Sequence, residues 1–105
     1  MAHLQQKSIL IVDDNSANIK VLFDVLHQSG YKVSVAKSGE SALSKAHDIL
    51  PDLILLDVLL PGIDGFEICR RLKANPTTQE IPVIFLSALD EVIDKVKAFA
   101  VGGVD

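Results

Sequence analysis

The chain is sparing in several things at once. It has a single cysteine, Cys69, so no disulfide can form within it, which fits a reducing compartment. Tryptophan is absent and aromatics make up only 5%, so the core must be built from aliphatic side chains. Positive charge does not dominate. Ten Lys and Arg stand against 14 Asp and Glu, a net charge of −4, and no nucleic-acid surface is expected of this domain. No run approaches the roughly 18–20 apolar residues that span a bilayer. The opening MAHLQQKS lacks the apolar centre of a secretory signal. A cytoplasmic protein with no membrane partner is expected. Repeats, low-complexity tracts and Gly/Ser linkers are missing as well.

What is present is an ordinary globular composition, 49% hydrophobic and 23% charged over 105 residues. That predicts one domain, residues 1–105, burying roughly 60–70% of its unfolded surface. The central run is Leu53 to Gly62, LILLDVLLPG. A wall of aliphatic residues ends at one carboxylate, Asp57, and a Pro61-Gly62 turn closes the run. A charge inside such a stretch is costly to bury without a partner. Asp57 is therefore expected at the end of a buried strand, facing a wet pocket.

The rest of the chain alternates around that strand. Ser8 to Val12 is apolar without helical period and reads as a buried strand ending in Asp13-Asp14. Asn15 or Ser16 can cap a helix whose inner face is Ile19, Leu22, Phe23 and Leu26, with Gly30 as its stop. Lys32 to Ala36 alternates and reads as a half-exposed edge strand. Ser38 caps a second helix with the stripe Ala42, Leu43, Ala46 and Leu50, ended by Pro51. Asp64 and Glu67 have capping-box spacing before a third helix, which runs through Ile68 and Leu72 to Asn75-Pro76. Val83 to Leu86 is a fourth strand, ending in Ser87. A fourth helix follows Asp90, with Val92, Val96 and Phe99 inward. Phe66 and Phe99 are expected in the core, and Cys69 as a half-buried packing residue. His3, His27 and His47 show no ligand spacing and are expected at the surface.

Strand–helix alternation with short loops predicts a parallel α/β sheet with right-handed crossovers. Ligands of such sheets bind beyond the carboxyl ends of the strands, where strand order reverses. Asp13, Asp14, Asp57 and Ser87 all fall on that edge. Two like charges about 4 Å apart cost about 4 kcal/mol at an effective dielectric near 20. No Lys or Arg adjoins these three strand ends, and Lys7 is at the far end of the first strand. A hard divalent cation is the natural relief, and Mg2+ suits one or two carboxylates with phosphate oxygens. Asp14 and Asp57 are expected as direct ligands, Asp13 directly or through water, and the Leu59 carbonyl as a further oxygen. A carboxylate in such a place can act as a phosphoryl-accepting nucleophile. Asp57 is the candidate, with Ser87 hydrogen-bonding a phosphoryl oxygen.

VDDN, LILLDVLLPGIDG and PVIFLSA, in this order on these elements, resemble the receiver domain of two-component response regulators. The resemblance runs from about Lys7 to the end of the chain. It implies a flavodoxin-like, doubly wound parallel sheet, as in the chemotaxis regulator of that family with its order 2-1-3-4-5. It also implies that Asp57 takes phosphate from a sensor histidine kinase or a histidine phosphotransfer protein. Asp13 and Asp14 would hold Mg2+, and Ser87, with Ala88 beside it, would follow the phosphate inward. The VDDNSAN start looks like receivers of hybrid kinases and phosphorelays.

Receivers also carry a fifth strand with a lysine, then a fifth helix. Here GGVD, which resembles the run before that strand, ends the sequence. The expected sheet is therefore 2-1-3-4, from a fragment of a longer protein or a shortened domain. With the fourth strand an open edge and one face covered by the first helix alone, self-association is expected. The flanking Leu59 and Leu89 cannot orient an attacking water, so a slowly hydrolysed acyl phosphate is expected.

Three rivals remain beside the phosphoacceptor. A degenerate receiver would serve as a phosphorylation-independent interaction module; the full acidic set argues against it, and the missing lysine for it. An aspartyl phosphatase of the dehalogenase type resembles Asp-x-Asp, whereas Asp57 is followed by Val58-Leu59. A flavin carrier would need a Ser/Thr/Gly-rich phosphate loop after the first strand, where this chain has DDNSAN.

Overall fold

The computed structural model describes residues 6–86 and residue 96. Strands and helices alternate as β1 (Ser8–Val12), α1 (Ser16–Gln28), β2 (Lys32–Ala36), α2 (Gly39–Ile49), β3 (Leu53–Asp57), α3 (Gly65–Ala74) and β4 (Val83–Leu86). The strands form one parallel sheet in the order β2-β1-β3-β4. That is the predicted order. It reverses between β1 and β3, so their carboxyl ends adjoin where a crevice is expected.

Side-chain alternation along the strands divides the core into two layers. Leu10 and Val12 of β1, with Ile54 and Leu56 of β3, pack with Ala42 and Ala46 of α2 and Ile68 and Leu72 of α3. Ile9, Ile11, Leu53 and Leu55 point the other way, onto Leu22 and Leu26 of α1. Leu53 to Leu56 are all buried, at about 1.5–3 kcal/mol per aliphatic side chain. β2 is half-exposed, as an edge strand should be.

Val96 is helical and 5% exposed, and it joins the α1 layer beside Ile84. That departs from the expectation that α1 alone covers this face. The reason is geometric: α1 lies over β1 and β2, and the apolar side chains of β3 and β4 on the same face need another cover. The remaining predicted residues of the fourth helix, with Gly102 and Gly103, lie outside the described residues.

Local signals account for most element ends. Asn15 caps α1, its side chain accepting from the Asn18 N–H. Gly30, at φ +93°, follows the helix end, and the N–H groups of Gly30 and Tyr31 return to the carbonyls of His27 and Leu26. Ser38 caps α2. Asp64 caps α3 through the Glu67 N–H, but the capping box is only half-formed. The Glu67 carboxylate turns instead to Arg70 and Arg71, which hold its pKa down at about 2.

Two predicted core positions are corrected. Leu50 leaves the α2 stripe because it adopts the left-handed conformation at φ 52°, and it is 51% exposed. Phe66 is 61% exposed. The inner stripe of α3 runs through Gly65, Ile68 and Leu72, and Phe66 sits one residue off it. Its ring lies tilted against Phe85, with centroids 5.1 Å apart. Cys69 is half-buried against the α2–α3 layer, and His27 and His47 are exposed, as expected. His3 and Phe99 lie outside the described residues.

Candidate metal and phosphate site

The site is built on the carboxyl ends of β1 and β3. The β1 chain runs on into Asp13, whose N–H donates to the Ala36 carbonyl of β2 at 3.1 Å. This extends the ladder by one residue and buries Asp13, which is 1% exposed. Its carboxylate accepts from the Asn15 N–H at 2.9 Å and from the Asn18 side-chain amide at 3.4 Å. Burial pushes the Asp13 carboxyl above its ordinary value; the Asn15 N–H opposes that, and the charge of Asp57 adds to it. Asp14 is exposed beside it.

Asp57 closes β3 in register with Leu86 of β4 and is half-buried. Its Oδ1 accepts from the Leu59 N–H at 3.1 Å. Leu59 itself is 81% exposed. One carboxylate oxygen each from Asp13, Asp14 and Asp57 lies within 4.8 Å of the other two. An all-oxygen donor set with this much negative charge fits a hard cation such as Mg2+ and does not suit a soft one.

The three predicted acids thus come together. Ser87, Ala88 and Leu89 lie outside the described residues. One contributor was not singled out from the sequence. Asn18, one helical turn into α1, braces Asp13, and the Asn-x-x-Asn spacing after Asp13-Asp14 was the available signal.

The family model for the response regulator receiver domain matches residues 9–105. Response regulator PleD of Caulobacter vibrioides is 47% identical over 97 residues, 92% of this chain and 21% of PleD. The alkaline phosphatase synthesis transcriptional regulatory protein PhoP of Bacillus subtilis is 43% identical over 99 residues, 94% of this chain and 40% of PhoP. The chain therefore spans about one-fifth to two-fifths of these relatives. Among solved structures, the receiver domain of a sensor histidine kinase from Pseudomonas aeruginosa superposes with a TM-score of 0.76 at 30% identity, covering 94% of this chain and 81% of that one. That structure has a magnesium ion coordinated in its active-site cleft. Chemotaxis response regulator CheY4 of Vibrio cholerae gives a TM-score of 0.76 at 28% identity, covering 94% and 82%. Among the described residues, no helix is long and apolar enough to cross a membrane. Strand order, acidic rim and relatives converge, and the chain belongs to the response regulator receiver domain family of two-component signalling.

Proposed function

We propose that this domain is a phosphoacceptor switch. Asp57 takes a phosphoryl group from a histidine of a sensor kinase or of a histidine phosphotransfer protein. The observation that carries the reading is the convergence of three carboxylates from two adjacent strands within 4.8 Å. Asp13, Asp14, Asp57 and the Leu59 carbonyl would hold Mg2+. When bound, the ion neutralises charge on the phosphoryl oxygens and favours their in-line approach.

The protein's own part is orientation. The Leu59 N–H fixes the Asp57 carboxylate, and Asn15 and Asn18 fix that of Asp13. A carboxylate oxygen of Asp57 attacks phosphorus, and the P–O bond forms as the P–N bond breaks. The imidazole nitrogen keeps the electron pair of the broken bond. Ser87 and Ala88 are assigned to the phosphoryl oxygens, and the apolar Leu59 and Leu89 to shielding the product from water.

The test is Mg2+-dependent uptake of beryllofluoride, a phosphoryl mimic, followed by NMR shifts. Uptake by the wild type and none by Asp57→Asn is expected. A wild type that binds no beryllofluoride at millimolar Mg2+ would leave the phosphorylation-independent interaction module as the better reading.

A further inference from the structure

Gly65 opens α3 directly against the backbone that carries Asp57. It is buried, and its N–H donates to the Val58 carbonyl at 2.9 Å. A Cβ at this position would collide with the Asp57 carbonyl oxygen. It would also lie 2.8 Å from Val58 Cα and 3.1 Å from the Asp57 carbonyl carbon. All three neighbours are backbone atoms, so no side-chain rotation can relieve the contact. Gly39 differs: a Cβ there would meet the side chains of Ile63 and Ile68, at 3.0 and 3.2 Å.

The far side of the contact cannot yield easily. Asp57 is in register with Leu86, and Leu56 is paired on both sides, with Val12 and Phe85. A side chain at position 65 must therefore displace either the start of α3 or the Asp57–Val58 peptide. The next peptide along the chain carries the Leu59 N–H that holds Asp57 Oδ1.

We propose that Gly65 is a positioning residue for the phosphoacceptor. Its missing side chain lets α3 start flush against the Asp57–Val58 peptide, and this contact sets the Asp57 carboxylate relative to Asp13 and Asp14. The proposal rests on Asp57 being the phosphoacceptor. Misplacement of a reacting group by about 1 Å can cost about 100-fold, so even a partial displacement is readable.

The experiment compares the wild-type chain with Gly65→Ala and Leu26→Ala. Leu26 is a core residue of the opposite layer and controls for lost stability alone. Mg2+ and beryllofluoride affinities are read from NMR shifts below each variant's melting transition. Gly65→Ala is expected to weaken both by roughly tenfold or more, while Leu26→Ala melts lower and binds like the wild type. Wild-type affinities in Gly65→Ala, or equal losses in Leu26→Ala, overturn the proposal. If Gly65→Ala is unfolded in buffer, the comparison is repeated in sucrose, which favours the compact state. A variant unfolded even there makes Gly65 a folding determinant and overturns the positioning role. A wild type that takes up no beryllofluoride fails at the earlier step, the phosphoacceptor reading itself.

Discussion

Asp13 and Asp57 are unequal neighbours: Asp13 is 1% exposed at the end of β1, whereas Asp57 is half-buried at the end of β3. Burial raises the pKa of Asp13, the Asn15 N–H lowers it, and the charge of Asp57 raises it further. A carboxyl whose folded pKa is raised favours folding while protonated. Its contribution is complete below the unfolded value of about 3.8. It is lost as pH rises through the folded value. Without divalent metal, Asp13→Asn should melt higher than the wild type near neutral pH, with the gap closing in acid. Thermal melts in chelator across pH check this, and a gap independent of pH would contradict it. Added Mg2+ should raise the melting temperature of the wild type and leave that of Asp13→Asn nearly unmoved.

Leu59, 81% exposed two residues past Asp57, offers water no hydrogen-bonding side chain. Leu59→Asn should speed phosphate release from the phosphorylated domain severalfold. The check is the decay of phosphorylated protein with time. An unchanged half-life removes the shielding role.

Leu50 ends α2 at φ 52° and ψ 62°, its N–H donating to the Ala46 carbonyl. An L-residue with a side chain is strained there by about 1–2 kcal/mol. Glycine relieves that but adds roughly 0.5–1 kcal/mol of unfolded-chain entropy. Leu50→Gly should therefore stabilise by up to about 1 kcal/mol, several degrees of melting temperature. A lower melting temperature would mean that the half-exposed leucine packs more tightly than its exposure suggests.

Glu67 should titrate far from ordinary glutamates. Arg70, then Arg71, hold its pKa at about 2. A depressed pKa stabilises above the unfolded value of about 4.3, and that contribution is lost as pH falls toward 2. The ion pairs lie at the surface, so the effect is screened by salt. Carboxyl carbon shifts should place its midpoint well below those of the other glutamates at low ionic strength and nearer to them at high salt.

The sequence was informative wherever a short-range rule operates. Leu53 to Leu56 had to be a buried strand, and strand polarity alone placed Asp13, Asp14 and Asp57 on one edge. Ser38 was legible as a cap, and the first helix's cap was narrowed to Asn15 or Ser16, because a cap depends on the next three residues; the structure places it at Asn15. Failures came where the outcome depends on a distant partner. Phe66 was assigned to the core by its type, but the stripe of α3 passes beside it and Phe85 is its ring partner. Val96 was legible as inward-facing, whereas the face it joins is decided by what α1 leaves uncovered on β3 and β4. The fit of Gly65 against Asp57 has no signature in spacing, since a glycine after a helix cap is compatible with many contacts.

The two-layered packing of β3 constrains how the domain can answer a change at Asp57. Neighbouring residues of this strand are keyed into opposite layers, Leu53 and Leu55 on one side, Ile54 and Leu56 on the other. Sliding the strand along its axis would unseat both layers at once, and close-packed interiors resist such shear. An event at the rim therefore has no exit down the strand. It must leave sideways, through the connections around the acids.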